Sequence, residues 1–394
     1  MIKSYTITTT EIDDGEQAAR DIAEQLASVP LLKNSVGLVL AHPEFLESGI
    51  YGQITKGIPF PLAGMTTISH CSNGKADTYM LSVMILTSDD CQFSCGLSES
   101  FPLGSDVSDI ARAAYADVRG RLEGAPRFAV LYAPFYHIPY LGNCLTALSE
   151  ASGNLPVFGA AANDDLNTSF TKAAARTLFG AEMYDDRFAL VLASGAVEPK
   201  FYMVSVSEDS MVMPRVGVIT KAKECWIEEI NNVGAADFLR GVGFLVDDPN
   251  NNNSGLLSSI FILHIDSKND GVRVSRIPHG LEGNSILCGG EIIEGAVLSI
   301  AFNTREGVLE TAKECIGKIA ANHNSGTVII HSCLGRRFGL LSEPQAEMEL
   351  LCKSLSDDFN CMASYANGEL CPTTINSGKA DNRFHNQTLI ACIL

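Results

Sequence analysis

Four polar clusters stand among apolar runs near the end of this chain: Ser332-Cys333-Leu334-Gly335-Arg336-Arg337, then Glu347, then Asn367-Gly368-Glu369-Leu370, then Phe384-His385-Asn386-Gln387-Thr388. Each falls where a strand should end, and loops held at the ends of a rigid scaffold are where binding and catalytic groups collect. The clusters offer a thiol, guanidinium groups, carboxylates, an imidazole and a carboxamide. Two kinds of chemistry fit that inventory. A thiol could attack a substrate with the help of a neighbouring base, or a polar wall could recognise a small molecule.

The first kind rests on Cys333 and His331, two residues apart and therefore on one face of a strand. As nucleophile and base they would make a thiol-dependent hydrolase or transferase. Both residues, however, sit in or just after Val328-Ile329-Ile330-His331, a run typical of a buried strand. A cysteine there acts as a small hydrophobe and a histidine as a hydrogen-bonded core residue. No residue is placed to orient the base, so the expectation is that the chain is not an enzyme.

The second kind rests on Arg336. Gly335 permits a sharp bend, after which the planar guanidinium can face a carboxylate. That carboxylate belongs either to a ligand or to Glu347 or Glu369 in the protein. Glu347 borders the apolar side of a helix marked by Met348, Leu351, Cys352 and Leu355. Glu369 follows Gly368 at a strand corner, and His385-Asn386 opens the last strand. The dinucleotide fingerprint, the phosphate loop, the serine nucleophile elbow and the zinc-protease motif are all absent. Among the histidines, His42, His137, His279, His331 and His385 are candidates for a haem or metal ligand, although a lone histidine is more often structural.

The elements that must position these groups recur. Three times an amphipathic helix precedes a strand, a second strand runs into small residues, and an apolar strand closes the unit. The first copy has a helix over 15–28, strands at 36–41 and 60–63 leading into Gly64-Met65-Thr66-Thr67, and a closing strand at 79–86. The second has helices over 106–122 and near 140–151, strands at 128–133 and 155–158 leading into Gly159-Ala160-Ala161-Ala162, and a closing strand at 188–193. The third has helices over 306–321 and 343–358, strands at 327–331 and 361–362 leading into Ala363-Ser364-Tyr365-Ala366, and a closing strand at 388–394. Each is the size of a strand–helix–strand crossover. Glycine at Gly64 and Gly159 lets backbone approach closely, either to a ligand or to another strand. Residues 201–303 carry shorter strands and an Asn-rich loop at 247–255. The expected fold is α/β (or α+β), with mixed sheets flanked by helices and two intimately packed halves, residues 1–230 and 231–394.

Composition narrows the partners. The net charge of −18, from 28 basic and 46 acidic residues, removes the basic footprint that nucleic-acid binding needs. It also disfavours an anionic membrane surface. No apolar run is long enough to insert across a membrane. The start of the chain lacks a secretion-signal core, so a cytoplasmic protein is expected. Its 12 cysteines follow no metal or disulfide spacing and read as mostly free thiols.

Taken together, the segments resemble the FIST family of bacterial sensory proteins. The C-terminal motifs Ser332-Cys333-Leu334-Gly335-Arg336, Glu347, Asn367-Gly368-Glu369-Leu370 with Pro372, and Phe384-His385-Asn386-Gln387-Thr388 stand in the family's order. Val36-Gly37-Leu38-Val39-Leu40, Ala63-Gly64-Met65-Thr66-Thr67, Pro156-Val157-Phe158-Gly159-Ala160-Ala161 and Val218-Ile219-Thr220-Lys221-Ala222 fit the N-terminal half. Two departures stand out. Ala363 occupies a corner where glycine is expected, and Ile68-Ser69 replaces a Gly-Glu pair. The resemblance implies signal transduction by binding a small ligand, an amino acid or related carboxylate, with the state passed to a separate partner. Some stand-alone members resemble haem-based nitric-oxide sensors that regulate a histidine kinase, which makes haem a possible cofactor. On this reading Arg336, Glu369 and Asn386 form the ligand wall with Cys333 and Glu347 beside them, while Gly64 and Gly159 let backbone amides approach.

Overall fold

A computed structural model describes residues 2–394 other than 73, 103–104, 135–137, 165–174, 245–260 and 267–272. The Asn-rich segment and His137 lie outside the described residues. The first unit runs β1 (Lys3–Thr9), α1 (Gly15–Ala27), β2 (Asn34–Ala41), α2 (Glu44–Glu47), α3 (Ile50–Thr55), β3 (Leu62–Thr66), β4 (His70–Ser72), β5 (Lys75–Asp77) and β6 (Leu81–Ser88). The second runs β7 (Gln92–Leu97), α4 (Ser108–Gly120), β8 (Pro126–Ala133), α5 (Ile138–Ser152), β9 (Val157–Ala161), β10 (Thr177–Phe179), β11 (Glu182–Tyr184) and β12 (Ala189–Ser194).

The third unit opens with β13 (Lys200–Val204) and is then interrupted. The interruption holds β14 (Met211–Lys223), β15 (Trp226–Ile230), β16 (Val233–Gly234), α6 (Ala235–Gly241), β17 (Phe261–Asp266), β18 (Arg273–Arg276), β19 (Pro278–Glu282), β20 (Ser285–Cys288) and β21 (Val297–Phe302). The unit resumes with α7 (Arg305–Asn322), β22 (Gly326–Cys333), α8 (Leu334–Gly339), α9 (Ala346–Ser354), β23 (Phe359–Ala366), β24 (Glu369–Asn376), β25 (Lys379–His385) and β26 (Leu389–Ile393). The helices α1 and α7 begin where a side chain satisfies their first amides. Asp14 accepts from the amides of Glu16 and Gln17 at α1, and Thr304 accepts from Gly307 at α7.

The expected recurrence is present, and pairing makes it cyclic. The three six-stranded sheets run β1-β6-β2-β3-β10-β11, β7-β12-β8-β9-β24-β25 and β13-β26-β22-β23-β4-β5. In each, the first four strands come from one unit and include one parallel pair (β2 with β3, β8 with β9, β22 with β23). The last two strands are a hairpin lent by another unit. The first unit's sheet takes the second unit's hairpin, the second takes the third's, and the third takes the first's. The exchange closes a ring, and it is how the two halves of the chain pack so intimately. Residues on either side of position 230 also pair directly, through β15 and β16.

Alternation along the strands sends one face of each six-stranded sheet to a shared core, while the strands of the interruption form an inserted eight-stranded sheet with a core of its own. Leu38 and Leu40 of β2, Val130 and Tyr132 of β8, and Ile329 of β22 are all in the shared core. The outer faces are covered by helices: α1–α3 on the first sheet, α4 and α5 on the second, α7 and α9 on the third. Strands buried on both faces explain the near-continuous apolar runs in the sequence.

Gly64 and Gly159 belong to this packing. Gly64 lies opposite Val39 and Gly159 opposite Leu131, at the same step of their parallel pairs. A methyl at Gly64 would fall 2.0 Å from the Val39 carbonyl oxygen, and one at Gly159 would fall 1.9 Å from that of Leu131. The close approach these glycines permit is to the neighbouring strand's backbone. Ala363 holds the equivalent place opposite Ile330, so the third unit accommodates the side chain the other two exclude. Gly159→Ala should therefore destabilise the protein by at least about 3 kcal/mol, whereas Ala363→Gly should cost about 1 kcal/mol. Denaturant titration of both variants checks this, and equal costs would refute it.

Candidate functional site

The polar clusters assemble where the parallel strands β22 and β23 end, in two groups: Arg336 with Glu347 under the helices, and Cys333 with Glu369, which comes from the start of β24 in the second unit's sheet. On the helix-covered face Arg336 is buried at 0% exposure with Glu347, also at 0%. Arg336 Nη2 lies 2.7 Å and Nε 3.1 Å from Glu347 Oε1. Ser332 Oγ donates to Glu347 Oε2 at 2.8 Å and accepts from Arg336 Nε at 3.2 Å. From α7, the Val308 carbonyl and Thr311 Oγ1 each accept from Nη2 at 3.0 Å. Glu347 is thus the carboxylate that takes the guanidinium, and it is buried rather than on a border. Thr311 went unnoticed in the sequence. The available signal is a lone hydroxyl among the buried Val308, Ala312, Cys315 and Ile319 of α7.

The second group is Cys333 with Glu369. Cys333 is electrostatically coupled to the Glu369 carboxyl, and Thr388 Oγ1 donates to Glu369 Oε2 at 2.7 Å. Burial pushes the Glu369 carboxyl up to about 8, against the opposing effect of Thr388 and Cys333. Glu369 is therefore largely protonated at neutral pH. Burial, reinforced by Glu369, also drives the Cys333 thiol well above its ordinary range. His331 shares the strand face, but its Nδ1 bonds Ser364 Oγ at 2.9 Å and its ring packs on Phe158 and Tyr132.

Asn386 lies apart from both groups. Its Oδ1 accepts from the Ile277 amide at 3.2 Å and its Nδ2 donates to the His385 carbonyl. Arg276 Nη1 donates to the Phe384 carbonyl at 3.0 Å, and Asn303 Nδ2 donates to Gln387 Oε1. These bonds dock the inserted sheet onto the segment that runs from Phe384 into the Glu369 cluster.

Strand register shows why chemistry gathers at one corner of three. The first residue of each lent hairpin strand, or the second step of its pairing, places His70, Thr177 and Glu369 at equivalent points, opposite Ser364, Met65 and Ala160. Those partners in turn lie opposite His331, Leu40 and Tyr132. Among the described residues, only the Glu369 corner has a buried ion pair beside it. Buried atoms here without a hydrogen-bond partner include Arg336 Nη1 and Glu369 Oε1, as well as His331 Nε2 and His385 Nδ1.

The described histidines do not suit a haem. His331 and His385 are both at 0% exposure, with His331 held by Ser364 and the Phe158 ring and His385 Nε2 on the Cys371 carbonyl at 3.1 Å. Burial lowers their pKa values to about 3 and about 4. His42 accepts the Glu44 amide on Nδ1 and packs edge-on against Tyr79. His331 Nε2 and His385 Nδ1 have no hydrogen-bond partner, but both rings are fully buried in the packed interior. His279 lies on β19, and no group of metal-ligating side chains occurs among the described residues.

A FIST N domain matches residues 35–233 and a FIST C domain matches residues 235–372. The chain belongs to the FIST family, whose domains are sensory and implicated in signal transduction. No curated protein matches it significantly. Among solved structures it is similar to the cyanuric acid hydrolase from A. caulinodans, at 8% identity and a TM-score of 0.36, over 100% of this chain and 99% of that one. A second cyanuric acid hydrolase structure gives 8% identity and a TM-score of 0.33, over 100% and 98% of the two chains. Overlaps this loose say nothing about the activity of this chain. No helix among the described residues is long and apolar enough to cross a membrane.

Proposed function

We propose that this chain is a cytoplasmic sensory protein whose stimulus is a small zwitterion of the amino-acid class, bound at the Arg336–Glu369 corner. The observation that carries the reading is the pair of buried atoms without partners, a guanidinium nitrogen on Arg336 and a carboxyl oxygen on Glu369. Buried polar atoms are nearly always satisfied, and each one left alone costs about 1–3 kcal/mol. A carboxylate on Arg336 Nη1 and an ammonium group on Glu369 would complete both. The charges favour a zwitterion over a simple carboxylate, because Arg336 is already neutralised by Glu347. A zwitterion adds no net charge, so the site stays electrically balanced with Glu369 protonated and accepting from the ammonium group.

The link to a partner runs through the same segment. Glu369 is bonded to Thr388, the neighbouring Gln387 and Asn386 hold the inserted sheet, and a shift at the corner would reach that sheet directly. A separate signalling protein such as a histidine kinase would read it. A thiol enzyme fits less well, since Cys333 is a neutral, buried thiol and a nucleophile must be an accessible thiolate.

Thermal-shift screening with amino acids and small carboxylates tests the proposal. A ligand at about 100 times its Kd stabilises the folded state by about 2.7 kcal/mol. At least one amino acid should raise the melting temperature of the natural protein and not that of Arg336→Lys, which keeps the charge beside Glu347 but loses the fork. If no compound acts at millimolar concentration, or Arg336→Lys responds equally, the proposal fails.

A further inference from the structure

Where the inserted sheet meets the second unit, α5 and β25 flank a pocket of about 300 Å³. Arg276, the last residue of β18, lies in its wall at 3% exposure. Its Nε donates to the Glu291 carbonyl at 2.9 Å, and its Nη1 donates to the Ser275 and Phe384 carbonyls, each at 3.0 Å. Backbone packs close against the guanidinium as well, since a methyl at Gly290 would fall 3.0 Å from Nε. These contacts fix the group in place, but none of them brings a compensating charge. The other charged side chains of the walls have partners: Arg383 pairs with Asp381 at 3.0 Å, and Glu150 with Arg112 at 3.1 Å. Among the described residues Arg276 has no carboxylate at ion-pair distance, and its Nη2 has no acceptor. Buried charges are ordinarily paired. Burial lowers the Arg276 pKa only to about 10, so the group is a cation at neutral pH.

We propose that this pocket binds a small polyhydroxy monocarboxylate, a sugar acid, whose carboxylate takes Arg276 Nη2. With Nε and Nη1 committed to carbonyls, Arg276 offers an end-on contact rather than a fork, which suits a single carboxylate oxygen. Ser149 Oγ, on the α5 wall, accepts from Asn382 Nδ2 at 3.0 Å and keeps its own proton to donate. Glu150, Asp381 and Glu291 line the same space. Carboxylates accept from ligand hydroxyls and repel a second negative charge. A dianion such as phosphate is thereby disfavoured, and a neutral sugar would leave Arg276 uncompensated. The volume is at the lower end for small-molecule pockets and suits a ligand of roughly a dozen heavy atoms. Bound there, the acid would bridge α5 of the second unit, β25 of the third unit's hairpin and β18 of the inserted sheet. The pocket shares no residue with the Arg336–Glu369 corner.

The test is isothermal titration calorimetry of the natural protein with gluconate. Saturable binding is expected, with glucose and inorganic phosphate each weaker by at least about tenfold. Gly142→Phe fills the pocket without altering Arg276, because Gly142 lies on α5 and a Cβ there would meet nothing within 4 Å. That variant should unfold like the natural protein and bind no gluconate. Arg276→Met should weaken gluconate by at least about tenfold. Arg336→Lys should bind it as the natural protein does, which separates this pocket from the amino-acid corner. No saturable binding at millimolar gluconate would overturn the proposal, as would equal binding of glucose or phosphate. Gluconate binding that survives Gly142→Phe, or that is lost in folded Arg336→Lys, would overturn it too. If Arg276→Met does not fold, Gly142→Phe and the ranking of the three ligands decide.

Discussion

Replacing Glu347 by leucine will destabilise the protein by about 3–5 kcal/mol, because it leaves the Arg336 guanidinium charged and unpaired in a site with no solvent exposure. The mirror change, Arg336→Met, will cost about as much by stranding the Glu347 carboxylate. The double variant Arg336→Met with Glu347→Leu will recover most of either loss, since a buried pair replaced by packed apolar groups is often close to neutral. The Val308 carbonyl and Thr311 hydroxyl lose their donor in the double variant, so recovery falls short by about 1–3 kcal/mol. Denaturant unfolding of the four proteins forms a double-mutant cycle. Single variants within about 1 kcal/mol of the natural protein would show that the pair is not isolated from water. A double variant as weak as the sum of the singles would show that the two charges do not depend on each other.

Glu369→Gln will remove most of a pH dependence the natural protein should display. The Glu369 carboxyl rises from 4.5 to about 8 on folding. A raised value means that the folded chain keeps a proton that the unfolded chain releases. The stability linked to Glu369 is complete below about pH 4.5 and declines as pH rises toward 8. The slope for one proton is about 1.4 kcal/mol per pH unit, so the total reaches roughly 4–5 kcal/mol. Glutamine is nearly isosteric, cannot ionise and can still accept from Thr388. The variant should match the natural protein in mild acid and exceed it at pH 8. Parallel stability curves for the two proteins from pH 5 to 8 would place the titration elsewhere. A bound ammonium group at Glu369 would lower its pKa, so the slope in the natural protein should shrink when the stimulus is present.

Much of this architecture is legible in residue order. Apolar periodicity marks the helices and strands of all three units, and α1, β2, α4, β8, α7 and β22 fall within a few residues of where periodicity puts them. Arg336 and Glu347 stand out because charges are rare in such runs. Local pattern could not tell what Gly64 and Gly159 approach, since a glycine permits closeness without naming the partner. It also left Glu347 on a border, because the covering residues come from α7, dozens of positions earlier in the chain. The hairpins were harder still. The strands of β4–β5 and β10–β11 are three residues each, too short to show a period, and the sheets that all three hairpins join are chosen by contacts between units.

The amino-acid sequence determined the elements, the three-fold recurrence and the polar residues at the strand ends, since propensity and alternation act over a few neighbouring positions. Tertiary structure decided which of those residues meet. Arg336 is taken by Glu347, Cys333 faces a protonated Glu369, and Asn386 turns to the inserted sheet. The physical reason is desolvation. A charge or thiol acquires its protonation state and its partner only when strands from distant parts of the chain close around it and exclude water.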